Sequence, residues 1–130
     1  MSRKTMLSLA LAATLLVAGG LTIGKDVVLG KNSPPATQVV QLQAKAGKYN
    51  EVNPTLEVRR GIPVEITIRN DETGAIPHDF VLVGLGVKTS KALEPGEVST
   101  LRFTPSQAGE FAYTCTLHPG LMDGRLIVRP

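Results

Sequence analysis

Residues 55–70 read "TLEVRRGIPVEITIRN", and they repeat with a period of two. Leu56 and Val58 alternate with Thr55, Glu57 and Arg59. Beyond a turn at Arg60-Gly61, Val64, Ile66 and Ile68 alternate with Glu65, Thr67 and Arg69. Successive side chains of an extended strand point to opposite faces, so this pattern sets one face on a core and the other in water. The same reading applies to "QVVQLQA" (Val40, Leu42), "HDFVLVG" (Phe80, Leu82), "EVSTLRF" (Leu101, Phe103), "EFAYTC" (Phe111, Tyr113, Cys115) and "GRLIV" (Leu126, Val128). Turn residues fill the gaps, as in "NDETGAIP" and "LEPGE". About seven short strands with no helical period between them predict an all-β domain, a sandwich or a barrel. With no tryptophan and few aromatics, its core must be mainly aliphatic.

The N-terminus differs. In "MSRKTMLSLALAATLLVAGGLTIGKD", Arg3 and Lys4 precede an uncharged run from Thr5 to Gly24. A charged start followed by an apolar stretch reads as an export signal, a hydrophobic leader helix over residues 1–24. Two fates stay open. Cleavage as a signal peptide has Val17-Ala18-Gly19 as its nearest small-residue site. Retention as a membrane anchor fits a run that just reaches the about 20 apolar residues a spanning helix needs. In both cases the two positive charges hold the N-terminus in the cytoplasm, and the domain is expected outside it, in the periplasm or an equivalent compartment. Residues 25–36, "KDVVLGKNSPPA", read as a linker, and residues 37–130 as the folded domain.

The formal charge of +3 belongs to the leader region. Arg3, Lys4 and Lys25 precede every acid, and from residue 26 onward eleven basic residues face eleven acidic ones. A near-neutral body lacks the concentrated basic surface that nucleic acid demands, so no nucleic-acid partner is expected. A monomer is expected.

The chain holds one cysteine, Cys115, and two histidines, His78 and His118. A lone cysteine in an exported chain has no internal disulfide partner, and a free thiol there is a liability unless its chemistry is used. "CTLHPGLM" spaces Cys115, His118 and Met122 as Cys-x2-His-x3-Met, and alternation with Phe111 and Tyr113 turns Cys115 inward at the end of its strand. His78 stands in "GAIPHDF", where a loop meets the strand beginning at Asp79. Singly, each has an ordinary reading: a small buried hydrophobe, a satisfied polar group, core filler. Together they form a donor set. Thiolate, thioether and imidazole select copper and also suit zinc, and a trigonal His2Cys set with a weak axial Met is the arrangement of blue-copper electron-transfer sites.

With these residues in view, "PTLEVRRGIPVEITIRN…PHDFVL…LEPGEVSTLRFTPSQAGEFAYTCTLHPGLMDGRLIV" resembles the cupredoxins, the blue copper family of plastocyanin, pseudoazurin and amicyanin. The resemblance covers about Thr37 to Pro130. It implies a Greek-key β-sandwich with one copper ion at one end, and it carries the ligand roles onto His78, Cys115, His118 and Met122. Three features depart from the pattern. The loop from His118 to Met122 has three intervening residues, where two or four are common. Asp79 stands where Asn often follows the first ligand histidine. Its backbone N–H can still point at the sulfur, and its carboxylate is expected to accept from the Thr116 hydroxyl. Thr116-Leu117 replaces a frequent proline, so Leu117 keeps an N–H that is expected to reach the thiolate.

The function these features imply is single-electron transfer between redox partners. The partners would dock at an apolar patch around His118 formed by Leu117, Pro119, Gly120 and Leu121, with Ile76, Pro77 and Leu85 at its rim. The first alternative is copper handling, delivery or storage with the same ligands. An enzyme with a second copper would need further histidines, so none is expected. Structural zinc and a metal-free binding module complete the alternatives. "DETG" and "SQAGE" read as turns.

Overall fold

The computed structural model describes residues 33–130. The leader and the first part of the linker lie outside the described residues. Nine strands follow in order: β1 (Gln38–Lys45), β2 (Lys48–Tyr49), β3 (Leu56–Arg59), β4 (Val64–Asn70), β5 (Val81–Leu82), β6 (Val87–Lys88), β7 (Val98–Phe103), β8 (Gly109–Thr114) and β9 (Asp123–Arg129). They form two sheets, ordered β2-β1-β4-β7 and β3-β9-β8-β5-β6. The described residues contain no helix.

The period-two residues face inward from both sheets. Leu42 and Ala44 of β1, Val64, Ile66 and Ile68 of β4, Leu56 and Val58 of β3, Tyr113 of β8, and Leu126 and Val128 of β9 are buried together with Phe80, Leu82 and Cys115. Val40, Leu101, Phe103 and Phe111 pack against them from the margins. β1 and β4 run parallel in register from Gln38↔Val64 to Ala44↔Asn70. β8 and β9 run antiparallel from Gly109↔Val128 to Thr114↔Asp123. The last pair of the first ladder holds Asn70, and Cys115 follows the last pair of the second, so both stand where strands pass into loops.

The count exceeds the expected seven because β2 and β6 have two residues each, too short for alternation to show. The strand expected to begin at Asp79 is narrower than its sequence. His78 makes an isolated bridge with Leu93. The Asp79 N–H turns to the Cys115 sulfur, and the Phe80 N–H donates to Thr89 Oγ1 at 3.2 Å. Backbone groups engaged in this way cannot join a ladder, so β5 keeps only Val81 and Leu82.

Period two also carries Asn70 inward at the end of β4, where it is fully buried. Its amide organises the next loop. Nδ2 donates to Ile76 O and to Leu93 O, both at 2.8 Å, and Oδ1 accepts the Glu72 N–H at 3.0 Å. A buried polar group is tolerated only when so satisfied. Asn70→Ala should destabilise the protein by about 3 kcal/mol, since it strips partners from several backbone groups at once; the shift in the urea unfolding midpoint measures it.

Candidate metal centre

Three loops converge at one end of the sandwich. The first, Asp71–Pro77, delivers His78 and is tied down by Asn70 and by the pairing of His78 N with Leu93 O at 3.0 Å. The second follows Cys115. It is a closed hairpin in which Cys115 N donates to Met122 O at 3.1 Å, His118 N to Cys115 O at 3.3 Å and Leu121 N to His118 O at 3.2 Å. Gly120 takes a φ of 82°, in the left-handed region that glycine occupies without strain, and so lets the chain return to β9. The third is the bend after β2. There Asn53 Nδ2 donates to Leu121 O at 2.8 Å, and its Oδ1 accepts Tyr49 N at 2.8 Å.

The donor atoms meet where these loops meet. Cys115 Sγ lies 3.9 Å from His78 Nδ1 and 3.4 Å from His118 Nδ1. One ligand atom from each of His78, Cys115 and His118 falls within 4.8 Å of the others, and the two imidazole centroids are 4.8 Å apart. Ligands bound about 2.1 Å from one ion at trigonal angles stand about 3.6 Å apart, and the sulfur–nitrogen separations bracket that value. His78 and Cys115 are fully buried, while His118 is partly exposed. Met122, fully buried in the same core cluster, lies at the far end of the Cys115 hairpin, with its carbonyl on the Cys115 N–H. A buried thiol between two imidazole nitrogens is a soft and borderline donor set that suits copper, and the group can hold one copper ion.

The surroundings act on the sulfur. Burial raises the Cys115 thiol above its ordinary pKa, and the backbone N–H groups of Asp79 and Leu117 oppose this by stabilising the thiolate. Of these two amides, the Asp79 N–H stands 3.5 Å from Sγ and donates to it. The Asp79 carboxylate clasps the two ligand loops together. Oδ1 accepts Thr116 N at 2.6 Å, and Oδ2 accepts the Thr116 hydroxyl. Beneath lies an aromatic cluster. Tyr49 meets Phe80 and Tyr113 edge-on at 5.5 and 5.6 Å, Phe80 stacks on Tyr113 at 5.3 Å, and the Tyr49 hydroxyl donates to Asp79 O. Burial drives the Tyr49 phenol far above its ordinary range, so it stays a neutral donor.

A model of the cupredoxin-like domain matches residues 9–128. The chain belongs to that family. Among its relatives, the cupredoxin-like chain is 33% identical over 106 residues to the copper-containing nitrite reductase of Rhizobium sullae, a match covering 65% of this chain and 28% of that protein. It thus spans less than a third of that relative. Among solved structures, auracyanin B superposes with a TM-score of 0.61 at 22% identity, covering 74% of this chain and 91% of that one. The solution structure of an apo copper binding protein superposes with a TM-score of 0.57 at 26% identity, covering 72% and 88%.

Sequence patterns pointed to the three side chains that this cupredoxin-like domain brings together, and to Asp79 beside them, but missed other contacts around them. Glu72 lies in the "DETG" stretch, whose composition signals a turn, yet its Oε1 is 3.0 Å from His78 Nε2. Burial by itself would raise the Glu72 carboxyl; hydrogen bonds from His78 and from the amides of Gly47 and Ala46 outweigh it and hold the group below the ordinary carboxylate range. Tyr49 and Asn53, far from the ligands in sequence, had no local signal beyond lying in a stretch rich in Asn and Pro.

Proposed function

We propose that this protein carries single electrons between redox partners outside the cytoplasm, and that His78, Cys115, His118 and Met122 would hold one type 1 copper ion. The observation that carries the reading is the placement of Cys115 Sγ, fully buried, beside two imidazole Nδ1 atoms and accepting the N–H of Asp79. Copper, when bound, supplies a one-electron couple. The residues supply constancy: the sandwich, the Asp79–Thr116 clasp and the Asn53–Leu121 contact keep the donors at fixed separations, so that neither oxidation state requires large rearrangement.

His118 is the route to the surface. It is the partly exposed member of the group, and its neighbours Leu117 and Leu121 are 45% and 58% exposed. An apolar surface around a ligand ring suits brief docking by partner proteins across a small interface, below about 1,200 Å². No enzymatic role is proposed. Both histidines belong to this group, so the chain has none for a second, catalytic copper. The matched family and the nitrite reductase relatives support copper chemistry of this kind; the catalytic activity named for those larger proteins is not carried over. The domain is proposed to act as an extracytoplasmic monomer, either freed from its leader or tethered to the membrane by it.

Copper loading tests the reading. The Cu(II) protein should absorb intensely in the visible, lose metal slowly and exchange electrons rapidly. Because the body is near neutral, the rate with a redox protein partner should vary only weakly with salt. A pale protein that gives up Cu(I) readily would instead mark copper delivery or storage.

A further inference from the structure

The two imidazoles of the donor group are held in different ways. His118 engages Cys115 through Nδ1 and is partly open to solvent. His78 is fully buried, and both its nitrogens are committed: Nδ1 faces Cys115 Sγ at 3.9 Å and Nε2 faces Glu72 Oε1 at 3.0 Å. A carboxylate only accepts, so Nε2 carries the hydrogen and Nδ1 keeps its lone pair for a metal.

Glu72 is itself fixed. Its N–H donates to the buried Asn70 amide at 3.0 Å, and its side chain is 8% exposed. The same Oε1 also accepts the Gly47 N–H at 3.4 Å, from the turn that joins β1 to β2. Ala46 and Gly47 both have positive φ, 52° and 69°. The left-handed conformation is unfavourable for alanine, and here it belongs to the turn whose amide reaches the carboxylate. The lines of contact run from the turn to Glu72, from Glu72 to His78, and from His78 to the sulfur.

We propose that Glu72 is a positioning residue for the copper site: it fixes the ring and tautomer of His78 and lends the ligand negative charge that favours Cu(II) over Cu(I). Hydrogen bonding of a ligating imidazole to a carboxylate raises the basicity of the imidazole. A more basic donor stabilises the more highly charged ion, so this contact lowers the reduction potential. The exposed His118 edge is left free for exchange with partners, while Glu72 acts from the buried side.

The inference rests on the proposed copper site and is tested on the full chain loaded with copper. Glu72→Gln keeps the size and an acceptor oxygen but removes the charge. It should still bind one copper with intense colour, and its Cu(II)/Cu(I) equilibrium should shift about tenfold towards Cu(I), equivalent to a rise of 59 mV for a one-electron couple. A residue that only holds the loop would leave the potential of the folded, coloured variant where it was, and that result overturns the inference while leaving the electron-transfer reading intact. A native chain that takes up no copper defeats both. Should the variant fail to fold, the native Cu(I) protein decides: proton and nitrogen resonance should show a His78 Nε2–H that exchanges slowly and lies downfield of that of His118. A His78 proton in rapid exchange, or without the downfield displacement, refutes the carboxylate contact.

Discussion

Replacing Cys115 with serine should abolish the intense visible absorption of the copper-loaded protein and weaken copper binding by more than the about 10- to 100-fold lost when an outer partner is removed. The colour needs a thiolate donor, and the chain has no second cysteine to supply one. The fold should survive. Serine is close in size, its oxygen can accept the Asp79 N–H that Sγ accepts now, and the loss of apo stability should stay within about 1.5 kcal/mol. The same variant separates two pH behaviours. Burial raises the Cys115 thiol, so at neutral pH the native apo protein holds a proton there that copper must displace. Native uptake should therefore release a proton, and the apparent affinity should climb with pH, by up to tenfold per unit, until the pH passes the raised thiol pKa. Above that point the thiolate is already formed and the slope disappears. In the serine variant neither the proton release nor the slope should appear above the range in which histidines titrate. Copper titrations in weak and strong buffers at several pH values read both quantities. A serine variant that remains deeply coloured would exclude Cys115 as a ligand.

Such a centre is legible in the sequence to the extent that its parts lie close along the chain. Cys115, His118 and Met122 sit within eight residues, and alternation with Phe111 and Tyr113 fixes the inward direction of Cys115. His78 could be added because it is the sole other histidine. Asp79 was also legible, through the family resemblance, in which the residue after this histidine ties two loops together; its amide and carboxylate reach their expected partners at Cys115 Sγ and Thr116. Tyr49 and Asn53 were hidden because they act across the sandwich. Asn53 meets Leu121 from 68 residues away, and the Tyr49 hydroxyl meets Asp79 O from 30. No periodicity encodes such a pairing; it exists only once the two sheets close. Glu72 is the instructive case. It is six residues from His78, but the composition of "DETG" predicts a turn whether or not one of its acids is buried. The buried Asn70 amide, which bonds the Glu72 N–H, selects the conformation that brings this acid to the ring.

Gly124→Ala should be among the most damaging single-methyl additions in the domain, costing about 4 kcal/mol. Gly124 lies in β9 directly opposite Tyr113 of β8, and the space above its Cα is filled by the tyrosine ring. A Cβ there would come within 3.0 Å of Cζ, Oη and Cε1 of Tyr113, closer than real Cβ atoms approach. Its φ lies outside the left-handed region, so the requirement for glycine is one of space and not of backbone freedom. The ring has nowhere to go. Tyr113 is fully buried, stacked on Phe80, edge-on to Tyr49, and anchored by its hydroxyl to Pro54 O at 2.6 Å. Overpacking a core costs about 1–3 kcal/mol, and displacing the hydroxyl from its acceptor adds about 1–3 kcal/mol. Together these approach half the stability of an ordinary domain, about 5–15 kcal/mol. The damage should also spread to the metal centre, because Tyr113 is two residues from Cys115 and shares its strand face; a displaced ring drags on the sulfur ligand. Denaturant unfolding of the Gly124→Ala protein, compared with Tyr113→Leu and the double variant, isolates the clash. If the ring is the obstacle, the double variant should be markedly more stable than the sum of the two single losses predicts. Simple additivity would mean that Gly124 matters for some reason other than the tyrosine it faces.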